Sequence, residues 1–401
     1  MAEAAVTPQR FLPRAAVVLG IISLCNDLAG EMLAPVIPLF LTTTLGAGPA
    51  IVGLVEGFAQ SCASVLKLLA GLLVDNGVRP KRLMLAGYGL ASSVRPLIGI
   101  ASSWGLVLAL RALDRIGKGL RGAPRDALLA ASVDDARLGR AFGFHRAMDY
   151  VGSGLGPAIG AGALTLGMSL KGLFALAVIP GLAVMVLILF GVSSERLGSR
   201  SADKPRALPA WASLPGRLRG LLLAATLLAV SAVHDAFLVL WLAKQLDHIA
   251  SVLLVFALIN GVRAVVAMFG GELSDRLGTL PTILVGWTLR IGLLLWIASA
   301  SSAQATTPAA ILWVVSLAAA MAWSAPAELA LLTRAAPDGQ RGTLLGTYHM
   351  LTGLAMLPGT ALFGLLWQQF GVSVAFLSAA LGSALAALTL LILSREKRPN
   401  P

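Results

Sequence analysis

Apolar runs close to twenty residues long recur along this chain and leave few folds open to it. Crossing the hydrocarbon core of a bilayer as an α-helix takes about 20 residues. Cutting the 401 residues at glycines, prolines and charge clusters yields such runs repeatedly, most plainly Gly172 to Val192 and Val372 to Ser394. Composition agrees, because 57% of residues are hydrophobic, 12% are charged and mean hydropathy is +0.84, which soluble domains do not reach.

The runs predict an all-α integral membrane protein of twelve helices. They are 14–42, 50–74, 82–103, 105–129, 139–165 and 171–193, then 218–243, 250–273, 281–300, 308–333, 342–367 and 372–394. Gly152, Gly154, Gly156 and Pro157 fall inside one of them. Packed membrane helices tolerate this, since small residues let backbones approach.

Basic residues predict the orientation, because they hold loops on the cytoplasmic side during insertion. With the N-terminus inside, the cytoplasmic segments hold Arg10 and Arg14, then Arg79, Lys81 and Arg82, then Arg137 and Arg140. The segment 194–217 adds Arg196, Arg200, Lys204, Arg206 and Arg217, and Arg276, Arg334, Arg341, Arg395, Lys397 and Arg398 follow. Outside loops offer little beyond Lys171 and Lys244. The expectation is a multi-pass protein of the cytoplasmic (inner) membrane with both termini in the cytoplasm. The net charge of +12 is then topological, with anionic lipid headgroups as its partners. No basic face with interleaved aromatics points to nucleic acid.

The first apolar run is too long for a signal peptide and lacks a small-residue cleavage site, so it should stay as helix one. Cys25 and Cys62 lie in predicted helices without metal-ligand spacing, and no disulfide, metal or cofactor is expected. Trp104, Trp241, Trp367 and Phe370 fall near predicted outside helix ends, where interfacial aromatic belts lie.

The chain also repeats itself. Gly71-Leu-Leu-Val-Asp75 overlays Gly271-Glu-Leu-Ser-Asp275 at an offset of 200 residues. Ala123-Pro124-Arg125-Asp126 matches Ala325-Pro326-Ala327-Glu328 at 202, and Gly139 and Gly143 match Gly342 and Gly346 at 203. The polar stretch Ser193 to Pro215 has no apolar helical face. The predicted organisation is therefore a six-helix bundle over 1–193, a cytoplasmic linker over 194–217, a second bundle over 218–394 and a tail over 395–401.

Four motifs carry a family resemblance. The run Gly71 to Arg82, with Asp75 and Arg79, resembles the loop-after-helix-two signature of the major facilitator superfamily, of the bacterial twelve-helix type. Gly271-Glu-Leu-Ser-Asp275-Arg276-Leu-Gly278 is closer still, whereas Asn76, Val78 and Pro80 depart from the pattern. Arg115-Ile-Gly-Lys118-Gly119 follows the helix-four pattern. Gly152-Ser-Gly-Leu-Gly156-Pro157-Ala-Ile-Gly160 is similar to the helix-five antiporter motif. The resemblance implies two bundles around a central cavity, gating by the Asp75 and Asp275 loops, and a coupling role for Arg115. Without it, the loops read as retained bases with an acid ending a helix, and the glycines as packing.

Charges far from the predicted helix ends are the most informative residues, because each costs at least ~2.5 kcal/mol near mid-bilayer. Asp27 and Glu31 are four apart, hence on one face of helix one, where two acids can share a proton. Asp235 occupies the matching place in helix seven, at an offset of 208, beside His234. Helix four carries Arg111, Asp114, Arg115 and Lys118, with Asp114 and Lys118 at pairing distance. Helix five carries His145 and Asp149 on one face, next to Arg146. Each of these reads either as proton or substrate machinery or as a structural ion pair or hydrogen bond. Glu56, Lys67, Arg95, Arg263, Arg290, Glu328 and His349 are further isolated polar groups, none singled out.

The functional expectation is a secondary transporter, not an enzyme, working by alternating access and coupled to protons. No Walker-type nucleotide loop suggests ATP drive. Efflux of a small drug or metabolite by antiport is expected from the helix-five resemblance, with one chain sufficing. Uptake of an anionic metabolite clamped by Arg111, Arg115 or Lys118 is the alternative. A metal or metal-chelate carrier through Cys25, Asn26, Asp27, His234 and Asp235, and a membrane-embedded enzyme, rank below.

Overall fold

A chain in hydrocarbon must satisfy its backbone hydrogen bonds within itself, and among the described residues every apolar run does so as helix. The computed structural model describes residues 12–75, 77–133, 138–192, 216–300, 306–335 and 341–394. Most of the 194–217 linker, the 395–401 tail, Arg10 and Arg137 lie outside them, as do the side chains of Asp75, Arg217, Arg334 and Arg341.

Twelve rods result. Five of them are α1 (Arg14–Leu33, continued by Val36–Leu39 and the π-helical turn Phe40–Thr44), α2 (Pro49–Asp75), α3 (Pro80–Ile98), α4 (Trp104–Ala131) and α5 (Leu138–Thr165). Next come α6 (Leu170–Leu176 with Val178–Gly191), α7 (Gly216–Val230 with Asp235–Leu242) and α8 (Ile249–Leu277). The last four are α9 (Thr279–Ala300), α10 (Thr307–Ala335), α11 (Arg341–Phe370) and α12 (Val372–Ser394).

Three rods predicted as single helices are interrupted, α6 only by the turn at Ala177. In α1, Pro35 and Pro38 lack the amide that would continue the ladder. In α7, residues 231–234 are unwound. Other ends run on until a glycine stops them: α8 reaches Leu277 before Gly278 at φ +98°, and α11 reaches Phe370 before Gly371 at φ +90°.

Among the described residues, nine of the rods are long and apolar enough to cross a membrane. The three that fall short of that apolarity are α3, α4 and α5, the ones that carry Arg95, the helix-four charges and the His145 to Asp149 turn. Leu166, Ile179, Phe190, Leu312 and Leu381 stand exposed on the outside of the bundle, an apolar surface suited to lipid rather than water.

The two ends of the bundle pack differently. At the end carrying the loops after α1, α7 and α11, one apolar core draws on both halves, joining Met32, Phe40, Phe174, Phe237, Trp241, Phe256, Trp313, Phe363 and Trp367. The opposite end carries Arg79, Lys81, Arg82 and Arg276. There the cores are separate, one confined to Leu12 through Ile188 and the other to Leu218 through Leu390. The bundle is thus sealed at the first end and parted at the basic end.

Trp241 and Trp367 belong to that seal and are 2% and 5% exposed, so the expected interfacial belt does not include them. Their rings pack on Trp313, Phe237, Phe363 and Phe376, where burial outweighs the interfacial preference of an indole. Trp104 and Phe370 are exposed.

The sequence repeat returns as packing. A β-carbon on Gly71 of α2 would lie 4.0 Å from Ala123 Cβ of α4, and one on Gly271 of α8 would lie 3.7 Å from Pro326 Cβ of α10. The same two blocks therefore meet in each half. Cys25 and Cys62 are free thiols.

Candidate functional site

Arg111 of α4 organises the interior. Its Nε and Nη2 donate to Glu56 of α2 at 3.1 and 3.0 Å, while Nη1 donates to Asp114 at 3.1 Å. Asp114 also accepts from Nε of Arg95 on α3 at 2.9 Å. Arg95 Nη1 reaches the backbone and side-chain oxygens of Asn26 on α1, both at 3.3 Å, and Asn26 Nδ2 donates to Asp27 at 2.8 Å. Four helices are joined by one continuous chain of charge-assisted hydrogen bonds, with Glu56, Arg95, Arg111 and Asp114 all buried.

The expected pairing of Asp114 with Lys118 is not formed. Arg95 and Arg111 occupy both carboxylate oxygens of Asp114, and their guanidinium forks offer better geometry than a point-charge ammonium.

Helix α7 contributes through its break. Where residues 231–234 unwind, the Ser231 carbonyl is released from the helix and accepts from Arg290 Nη2 of α9 at 3.0 Å. His234 caps the following turn by accepting from the Ala236 amide on Nδ1 at 3.2 Å. The proton of the neutral ring then sits on Nε2, 3.9 Å from Glu56 Oε2 across the two halves. Asp235 is held from two sides by Arg263 of α8, at 2.6 and 2.7 Å. This is the structural ion pair that the sequence left as one of two readings for Asp235.

Against these pairs, Glu31, Arg115 and Lys118 make no hydrogen bond or ion pair among the described residues. Glu31 lies within electrostatic reach of Lys118, Asp27, Arg115 and Asp235. Lys118 in turn faces Arg115, Glu31 and Asp27, and it is exposed although it lies mid-helix. Acids from α1 and bases from α4 thus share one field without touching.

The helix-five glycines set the position of those acids. A β-carbon on Gly152 would lie 2.6 Å from the Leu24 carbonyl and 3.1 Å from Asp27 Cβ. On Gly156 it would lie 2.6 Å from the Leu28 carbonyl and 2.8 Å from the Met32 amide. Gly160 abuts Met32 and Leu253. Backbone-to-backbone approach of α5 and α1 requires glycine here, and it fixes the register of Asp27 and Glu31. Pro157 sits within the same stretch of α5.

A second cluster lies toward the basic end. His145 Nε2 meets Ser23 Oγ at 2.7 Å, Arg125 Nη1 donates to the same hydroxyl at 3.0 Å, and Asp149 lies 3.5 Å from His145 Nδ1. Arg146 approaches Asp149 at 3.8 Å. His145 and Asp149 are therefore together, and both lie within electrostatic reach of Asp27 on α1.

Of the loop motifs, Arg79 caps the N-terminus of α3, and Arg276 pairs with Glu272 at 2.5 Å on the surface. Asp275 is exposed and has an interaction partner. Lys81 caps the end of α6 by donating to the carbonyls of Leu189 and Val192 at 2.9 and 2.7 Å. In the second half Glu328 accepts from Trp287, Ser324 and Tyr348 at 2.8, 2.9 and 3.0 Å.

The residues that sequence reasoning did not single out are Glu56, Arg95 and Arg263. Each is a charge inside an apolar run, the one signal that marked it. Its partner lies on another helix, which spacing along the chain does not reveal.

Helical rods around a charged interior, sealed at one end and parted at the other, define a multi-pass membrane transporter. The chain belongs to the Major Facilitator Superfamily, whose family model matches residues 19–289 and 221–401. An uncharacterized MFS-type transporter of Methanocaldococcus jannaschii is 28% identical over 391 residues, 96% of this chain and 95% of that one. Among solved structures, the nucleoside transporter NupG superimposes with a TM-score of 0.79 at 13% identity, covering 94% of this chain and 99% of that one. A bacterial homologue of the human lysosomal transporter Spinster, in an inward-facing and occupied conformation, gives 0.78 at 16% identity, covering 96% and 98%. At these identities the two structures establish the fold. The protein is a secondary transporter and not an enzyme.

Proposed function

We propose that this protein is a proton/substrate antiporter that exports a small molecule across the inner membrane by alternating access, as a monomer with both termini in the cytoplasm. The observation that carries the proposal is Glu31, a carboxyl group inside the bundle without a direct partner, facing the equally unpartnered Lys118 and Arg115. A group that does not hold the fold together is available to bind cargo or a proton. Serving both at the same oxygens makes the two exclusive, which is the elementary requirement of exchange.

The cycle starts in the conformation described above. The parted basic end is the cytoplasmic one, so cargo enters from the cytoplasm and displaces the Glu31 proton. Closure there brings the two separate cores together, while the aromatic seal around Trp241 and Trp367 parts on the other side. A proton from outside then displaces the cargo. The Asp75 and Asp275 loops hold the cytoplasmic face closed in that outward state. Asp27, tied through Asn26 to the Arg95, Asp114, Arg111 and Glu56 chain, relays occupancy of the site to His234 and the second half.

Gly152 and Gly156 are explained by packing, so direction rests on the shared carboxyl rather than on the motif. The test is purified protein in liposomes with the pH gradient imposed in each direction, screened against compounds to which an overexpressing strain becomes resistant. Gradient-driven exchange that Glu31→Gln abolishes is the expected result. Accumulation of anions together with protons, dependent on Arg115 and Lys118, would establish anion uptake instead.

A further inference from the structure

Resting on the reading of Glu31 as the shared carboxyl, we infer that the cargo carries both a cationic and an anionic group. The reasoning sorts the interior charges by what they already touch. Glu56, Arg95, Arg111 and Asp114 neutralise one another at 2.9–3.1 Å, and Asp235 and Arg263 do so at 2.6 Å. None of these is open to a ligand without abandoning a buried partner, which is strongly unfavourable.

The charges left over are two acids on α1, two bases on α4 that face them, and Arg121 further along α4, which stacks on the Tyr88 ring with Nη1 unpartnered. Asp27 has only the Asn26 amide, and Glu31, Arg115 and Lys118 have no direct partner. The remainder is divided in space, negative on one wall and positive on the facing one. Helix α5, packed against the acid-bearing stretch of α1, brings glycines there, and its nearest acid, Asp149, lies beside His145 and Arg146. From α7 and α8, Asp235 and Arg263 face Glu31 as an already neutral pair. Arg111 also reaches Glu31 electrostatically while committed to Glu56 and Asp114.

A lone cation entering this field would leave Arg115 and Lys118 unanswered in a water-poor interior, and a lone anion would do the same to Asp27 and Glu31. A zwitterion answers both walls and adds no net charge to the interior during the transition between states. Its ammonium or guanidinium group takes the place of the Glu31 proton, which leaves to the solvent at the parted end. Its carboxylate, phosphate or sulfonate pairs with Lys118 and Arg115.

The experiment uses the full chain in liposomes and matched probes on three scaffolds of increasing charge separation: phenylalanine, alanylphenylalanine and 6-aminohexanoate. Each is offered as the zwitterion, as the cationic methyl ester and as the N-acetylated anion. The expected result is exchange of at least one zwitterion, with its ester and N-acetyl forms at least tenfold slower. Read as substrate counterflow without a pH gradient, Glu31→Gln should narrow or invert the zwitterion-to-anion ratio, and Lys118→Gln the zwitterion-to-ester ratio, with both variants folded by size-exclusion profile. Proton-driven exchange of the esters alone overturns the zwitterion and leaves antiport standing. Zwitterion exchange indifferent to the pH gradient leaves the cargo class standing and removes antiport. Movement of the N-acetyl anions alone, or of no probe at all, overturns the cargo class.

Discussion

Arg111 holds Glu56 side-on, Nε 3.1 Å from Oε1 and Nη2 3.0 Å from Oε2, with both side chains buried and Asp114 closing the third side. A planar guanidinium is the one side chain able to bind two acids in this manner. Removing one partner leaves the other charged, buried and incompletely matched. Glu56→Gln is therefore expected to lower stability by about 3–5 kcal/mol, read as a fall in melting temperature in detergent. Replacing both groups, as Glu56→Leu with Arg111→Met, should recover part of that stability without recovering transport. A single variant as stable as the parent would show that the pair holds nothing.

Substrate affinity should respond to pH in a defined direction. If cargo and proton share Glu31, acidification loads the proton and weakens binding, so affinity falls as pH falls. Binding at alkaline pH should release a proton, visible with a pH indicator in weakly buffered protein. Glu31→Gln should abolish both the pH dependence and the release. Tighter binding at lower pH contradicts exchange and favours co-transport.

The glycines of α5 divide into Gly152, Gly156 and Gly160, which touch α1, and Gly143, Gly154 and Gly162, which have open space around them. Gly156→Ala places a methyl group 2.6 Å from the Leu28 carbonyl and 2.8 Å from the Met32 amide, and should cost about 1–3 kcal/mol together with most transport. Gly154 has nothing within 4 Å, so Gly154→Ala should be silent in both assays. Equal effects at the two positions would assign the glycines a role other than close packing.

The aromatic seal is testable by cross-linking. Ala50 and Gln368, from opposite halves, meet at that end, where the Ala50 amide donates to Gln368 Oε1 at 3.3 Å. In a background with Cys25 and Cys62 replaced by serine, Ala50→Cys with Gln368→Cys should cross-link with a short bifunctional reagent and arrest transport. Reductive cleavage of that reagent should restore it. Continued turnover of the cross-linked protein would show that this end does not open.

Hydropathy made the helices legible, and the repeated blocks at Gly71 and Gly271 were legible as sequence, though their contacts with Ala123 and Pro326 were not. Intrahelical spacing was a weaker guide to partners. Asp114 and Lys118 are correctly spaced to pair along α4, yet Asp114 is taken by Arg95 from a neighbouring helix and by Arg111 from one turn before. Glu56 and Arg263 looked like isolated charges because a contact between helices has no signature in the spacing of either. Trp241 and Trp367 illustrate the converse, since nearness to a helix end does not distinguish a ring that faces lipid from one buried among the aromatic rings of its own half. The breaks in α1 and α7 were partly written as prolines in the first and by nothing so plain in the second.

The separate cores at the basic end bear on how the protein is made. Everything in the first of them lies between Leu12 and Ile188, and Lys81 fastens α3 to the end of α6 from within the same stretch. The N-terminal half can therefore consolidate in the bilayer while the ribosome is still translating the rest. The seal at the other end cannot, because Phe363, Trp367 and Phe376 are translated only after the whole first half. The nascent chain has half its fold before it has a closed pathway, and becomes a barrier to small solutes only once α11 and α12 are in place.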